Sequence, residues 1–137
     1  MKLTKLTKAL LFSMLCIMMC ACSDDDEPKI DNAEKELIAT SWKGNMIGEK
    51  SDGSTIKTQV IVQFLTSDEG QFIELDDKGL PIYGGGGNNL YYHFERNIIS
   101  FSGAMTGQWT ITTLTKKRLV MESFNPYKVV LELERIM

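Results

Sequence analysis

The strongest constraint on this chain is a rhythm of short runs rich in Val, Ile, Thr, Phe and Tyr, broken by turns of a few residues. The runs fall at about 41–48, 56–65, 71–76, 89–95, 98–102, 107–114, 118–123 and 127–136, and each reads as a strand. Side chains alternate within them. Val60, Val62 and Phe64 share one face against Gln59 and Gln63, Leu90, Tyr92 and Phe94 oppose Tyr91, His93 and Glu95, and Val129, Leu131 and Leu133 oppose Glu132 and Glu134. A period of two sends one face to a core and the other to water. The turns Glu95-Arg96-Asn97, Gly103 to Thr106, Thr115 to Lys117 and Asn125-Pro126 are short enough to pair neighbours antiparallel. With no crossover helix, closing the sheet is the economical way to remove its edges. The pattern predicts an all-β fold, an eight-stranded antiparallel up-and-down barrel, with a sandwich as the main rival. A single helical stretch precedes it: AEKELIA, Ala33 to Ala39, follows Asp31 and Asn32, either of which suits an N-cap.

The first part of the chain has a different character. Lys2, Lys5 and Lys8 lead into an apolar run that ends CIMMCAC, with Ala21 just before Cys22. A basic start, an apolar centre and a small residue before the break describe a secretory signal peptide. A cysteine directly after the break resembles a bacterial lipobox. On this reading residues 1–21 are removed and Cys22 becomes the lipidated first residue, a membrane anchor through acyl chains such as palmitate. Residues 22–35 then form an acidic tether, with SDDDEPKIDN offering almost nothing to bury. Cys-Ser-Asp-Asp-Asp-Glu is similar to the acidic export signal that follows the lipidated cysteine in surface lipoproteins of the Bacteroidetes. That resemblance implies an outer-membrane protein facing the cell surface, with the periplasmic face as the alternative.

Removing residues 1–21 from the 137 leaves 116, enough for one domain with a modest core. The leader holds three of the 15 basic residues and none of the 18 acids, so the remainder carries a formal charge of −6. That balance argues against a nucleic-acid partner, which needs a basic surface. All three cysteines, Cys16, Cys20 and Cys22, lie in or at the edge of the leader. The folded part therefore has no disulfide, thiolate metal site or cysteine nucleophile, and hydrophobic burial with hydrogen bonding must hold it together.

Three segments carry a family resemblance: ELIATSWKGN at the first strand, the hairpin YYHFERNIISFS, and WTITTLTKKRLVMES followed by YKVVLELER. In this order they resemble the lipocalin-like domains of small Bacteroidetes lipoproteins, over residues 36–137. Lipocalins carry a glycine two residues before the first-strand tryptophan, and here that position is Thr40. The resemblance implies a lipocalin-like barrel closed at one end by an arginine stacked on that tryptophan, which maps onto Arg135 and Trp42. Such a pair contributes about 1–2 kcal/mol when shielded from water.

No catalytic or metal-binding constellation emerges, and the expectation is a non-enzymatic protein without cofactor or metal. His93 is the sole histidine, on the polar face of its strand. Glu74 and Glu95 are the carboxylates that pairing across strands could join for sugar hydrolysis, and nothing selects them. The tetraglycine Gly84 to Gly87 lacks the Gly-Lys-Ser/Thr of a phosphate loop. It belongs to the longest connection, about Asp77 to Asn88, where Leu80, Pro81, Ile82 and Tyr83 suit a lid over the barrel mouth.

Met46, Phe64, Tyr92, Phe94, Phe101, Trp109 and Met121 have the inward parity. Eight strands enclose a space that side chains either fill or share with one small ligand. Two functions fit. The first is binding of a small apolar ligand by these residues with Tyr83 at the mouth. The second is a filled barrel that docks on another surface protein or a host component through exposed residues such as Tyr91.

Overall fold

The computed structural model describes residues 32–82, 87–124 and 127–137. The signal peptide, Cys22, most of the acidic tether and Tyr83 lie outside them. A short helix α1 (Ala33–Leu37) is followed by strands β1 (Thr40–Glu49), β2 (Thr55–Phe64), β3 (Glu69–Leu75), β4 (Pro81–Ile82), β5 (Asn89–Glu95), β6 (Ile98–Gly103), β7 (Gly107–Leu114), β8 (Arg118–Phe124) and β9 (Lys128–Arg135). Every pairing is antiparallel, and the ring β1-β2-β3-β5-β6-β7-β8-β9 closes where β9 returns to β1. The fold is a closed eight-stranded up-and-down barrel.

The expected strands recur with small shifts at their ends. The third begins earlier, at Glu69, because Glu69 is already in register with Tyr91 of β5 and Gly70 with Phe64 of β2. Strand β4 was not foreseen: Pro81 and Ile82 pair with Leu75 and Glu74, which ties the start of the long connection to the far half of β3. Between these pairings β3 and β5 share only the stretch from Glu69 to Gln71. The helix is shorter than AEKELIA predicts, since Ala39 turns to φ 60° and sends the chain into β1. Asn32 occupies the N-cap position without a side-chain cap bond. Helix α1 buries Ala33 and Leu37 in the barrel core, so among the described residues Ala33 is the first to join that core.

Two sequence-local devices shape the wall. A register shift between Ile111 and Thr113 is a bulge in β7, and it lets Ile111 and Leu114, three residues apart, both face inward at 1% exposure. Gly44 in β1 and Gly70 in β3 sit where the neighbouring strand passes over them: a Cβ would lie 1.9 Å from the Glu132 carbonyl oxygen and 1.9 Å from that of Gln63, respectively. Only glycine permits so tight a coil in a small barrel.

The antiparallel order gives the barrel two distinct ends. At the helix end lie α1, the β2–β3, β5–β6 and β7–β8 connections, and the residues after β9. At the far end lie the β1–β2, β3–β5, β6–β7 and β8–β9 connections. Helix α1 and Trp42 fill the first end, and Met105 and Trp109 belong to the same core toward the second.

Candidate functional site: the far-end rim

The described residues among those expected to line a ligand cavity form or pack against one hydrophobic core. Phe64 and Met121 are fully buried, and Tyr92, Phe101 and Trp109 are no more than 5% exposed. Tyr92 stands at the centre of an aromatic cluster, edge-on to Phe64 at 5.2 Å between ring centroids, to Phe94 at 5.5 Å and to Phe101 at 6.1 Å. Edge-to-face geometry at these separations is the favourable arrangement of a packed core. Met46 and Phe94 are partly buried and packed against the hydrophobic core that contains this cluster.

Polar ends inside the wall are satisfied. The Tyr92 hydroxyl lies 2.6 Å from the Thr66 carbonyl and 2.7 Å from that of Glu69, and shares its proton between them. Burial pushes its pKa up to about 12, against the opposing influence of the hydrogen bond to Thr66. At the other end of the barrel the Trp109 indole N–H donates to the Thr106 carbonyl at 3.1 Å.

The expected stacking of Arg135 on Trp42 is not made. The register does set Arg135 opposite Trp42, but the Arg135 Nε–H donates to the Met137 carbonyl at 3.2 Å and the side chain is exposed. Trp42, at 1% exposure, is closed off by Thr40 and α1. Its Nε1–H donates to Thr40 Oγ1 at 2.8 Å, and Thr40 Oγ1–H donates to the Leu37 carbonyl. The only cation found over a ring among the described residues is Lys128, 5.8 Å from the Phe124 centroid.

The polar candidates separate. Glu74 lies toward the far end of β3 and Glu95 at the helix end of β5, so they form no carboxylate pair. His93 is exposed and pairs with Ser100 of β6 in an open depression that also holds Asp68, Glu69 and Tyr91. Among the described residues no group of His, Asp and Glu side chains could hold a metal ion.

Concave surface lies on the outside and at the far end. One groove of about 550 Å³ crosses β1, β2 and β3, with Asn45, Lys57, Gln59, Leu75, Asp77 and Ile82 among its lining. Here Asn45, Gln59 and Leu75 form one cross-strand row. Next to it the far end presents large apolar side chains to solvent: Ile56, Leu80, Ile82, Phe124 and Tyr127, from 45% to 68% exposed. Gly48 stands between Ile56 and Val129 in the register and leaves that stretch of the rim low. Leu80 and Ile82 were expected in a lid; β4 pins them to the edge of β3 instead, where they extend the rim.

Strand parity identifies inward residues but not whether they meet. Phe124 and Tyr127 flank Asn125-Pro126 in the sequence, and that position was the available signal for the rim. Compared with family models, with curated proteins and with solved structures, the chain matches none.

Proposed function

We propose that this is a lipid-anchored protein of the outer membrane, displayed at the cell surface through Cys22, whose barrel is a non-enzymatic interaction module. The observation that carries the reading is the contrast between interior and rim. Phe64, Tyr92, Phe94 and Phe101 are engaged with each other, while Ile56, Leu80, Ile82, Phe124 and Tyr127 stand exposed at the far end. Several large apolar side chains exposed at one end of a small domain are a reason to expect a protein partner. Lys57, Asp77, Asn45 and Gln59 in the adjoining groove supply the polar border that such an interface needs for specificity. A small apolar ligand inside the barrel would first have to part the aromatic cluster.

The helix end carries the tether and the rim lies at the opposite end, so a partner approaching from outside the membrane meets the rim first. Site-specific photocrosslinking in intact cells tests this. A photoreactive residue at Phe124 or Ile56 should give a discrete adduct, and one at Lys116 on the helix end should not. Native mass spectrometry of the gently purified protein showing a stoichiometric small apolar molecule would instead return the function to the barrel interior.

A further inference from the structure

The helix end has its own apolar patch, and its occupant follows from the chain that leads into it. We propose that this end contacts the bilayer: Ile38, Leu65, Ile136 and Met137 dip into the lipid surface that holds the acyl chains of Cys22. The inference builds on the lipidation of Cys22 proposed above.

The four side chains are 37%, 52%, 51% and 78% exposed, and they come from three separate segments that meet. Thr40 is in register with Phe64, which sets Leu65 beside the Ile38–Ala39 turn. The Ser41 N–H donates to the Met137 carbonyl at 2.9 Å, and the Ile136 N–H donates to the Ser41 carbonyl at 2.8 Å. The Arg135 N–H donates to the Lys117 carbonyl at 2.9 Å, which brings the exposed Lys116-Lys117 turn alongside. Long cationic side chains beside exposed apolar ones suit the headgroup region, where the stems lie on the apolar boundary and the charges stay hydrated. Glu34, Glu36, Asp68 and Glu95 share this end, so net charge attraction is not what holds it. The apolar side chains carry the contact.

Position selects a bilayer over a protein. Cys22 precedes Asn32 by ten residues, a span of at most about 35 Å when fully extended. Asn32 leads directly into α1 at this end, so an acylated Cys22 keeps the patch within reach of the membrane at all times. Insertion of a few side chains, weak for a free protein, becomes an intramolecular step at high effective concentration.

The test uses the mature, acylated chain reconstituted in phosphatidylcholine vesicles containing doxyl-labelled lipid. Cys16 and Cys20 leave with the leader and the Cys22 sulfur is alkylated, so one introduced cysteine is the only thiol. Leu65→Cys and Ile38→Cys, labelled with an environment-sensitive fluorophore, should shift to the blue and be quenched at least twofold more than Phe124→Cys and Tyr127→Cys. Adding Ile136→Glu and Met137→Glu to the Leu65→Cys chain should abolish that difference while the protein stays anchored. Equal quenching at both ends of an acylated chain would overturn the contact alone. An intact mass without acyl groups would overturn the anchor and the contact with it.

Discussion

Thr40 and Trp42 are bound through one buried hydroxyl that also holds the helix. Thr40 Oγ1 accepts the Trp42 indole N–H at 2.8 Å and donates its own proton to the Leu37 carbonyl. The hydroxyl therefore satisfies two groups that α1 and the indole would otherwise leave unpaired in a dry environment. Thr40→Val keeps the shape and removes both bonds. It should lower stability by about 1–3 kcal/mol, as expected for buried groups left unpaired, while Thr40→Ser should stay near the parent. Urea unfolding of the three proteins checks the order.

Tyr92 links the core to the β2–β3 connection, and its removal has a pH signature. Its folded-state pKa of about 12 lies above the ordinary value of 10, so the native state holds the proton more tightly than the unfolded chain does. The contribution is fully present below about pH 10 and is lost as pH rises toward 12, with a slope of at most about 1.4 kcal/mol per pH unit. Tyr92→Phe should remove that part of the alkaline slope. Unfolding midpoints of both proteins between pH 9 and 12 give the comparison.

The two tight glycines should be far less replaceable than their neighbour. Gly44→Ala and Gly70→Ala each force a Cβ to 1.9 Å from a carbonyl oxygen, and the wall must open to admit it. A loss of roughly 2–4 kcal/mol is expected for either. At Gly48 the nearest atom is Val129 Cγ2 at 3.9 Å, so Gly48→Ala should be neutral or stabilising by up to about 1 kcal/mol. Thermal unfolding of the three variants distinguishes the outcomes.

The packing of inward side chains predicts graded losses along one face. Met121→Ala, at a fully buried site, should cost about 2–5 kcal/mol. Met46→Ala, at a partly buried one, should cost about 1 kcal/mol or less. If Met121 lined an empty, ligand-ready space, the two losses would converge.

Anchoring is tested apart from folding. Cys22→Ala should leave the barrel's unfolding curve unchanged, because the first core residue among those described is Ala33. Acyl groups should be absent from its intact mass, and the export of the variant should stop before the outer membrane. Fractionation of cells and mass spectrometry read the two effects.

The barrel was legible because its information is local. Alternation in 60–64, 90–95 and 129–134 and the short turns between strands determine the neighbours, and antiparallel neighbours with no crossover close on themselves. What escaped depends on contacts distant in sequence. Pairing of Pro81-Ile82 with Leu75 and Glu74 carries no pattern of its own, and Gly44 is an ordinary strand glycine until Glu132 is known to cross it. The role of Thr40 was hidden for a related reason. It looked like a departure from a glycine position, and only the packing of α1 shows that its hydroxyl completes the end of the barrel in place of Arg135. Among the binding candidates, parity found the inward side chains correctly, but the distances between rings were needed to see them as a cluster.

Strand β1 is paired with β2 from Thr40 to Glu49 and with β9 from Trp42 to Gly48, and it is also the first strand after the tether. Tension between an anchored base and a partner gripping the opposite rim would run parallel to the strands. The ladders flanking β1 would then be loaded in shear, many rungs at once, and not peeled one after another. A barrel pulled between these two ends would act as a mechanical coupler, staying folded while the objects at its two ends are drawn apart.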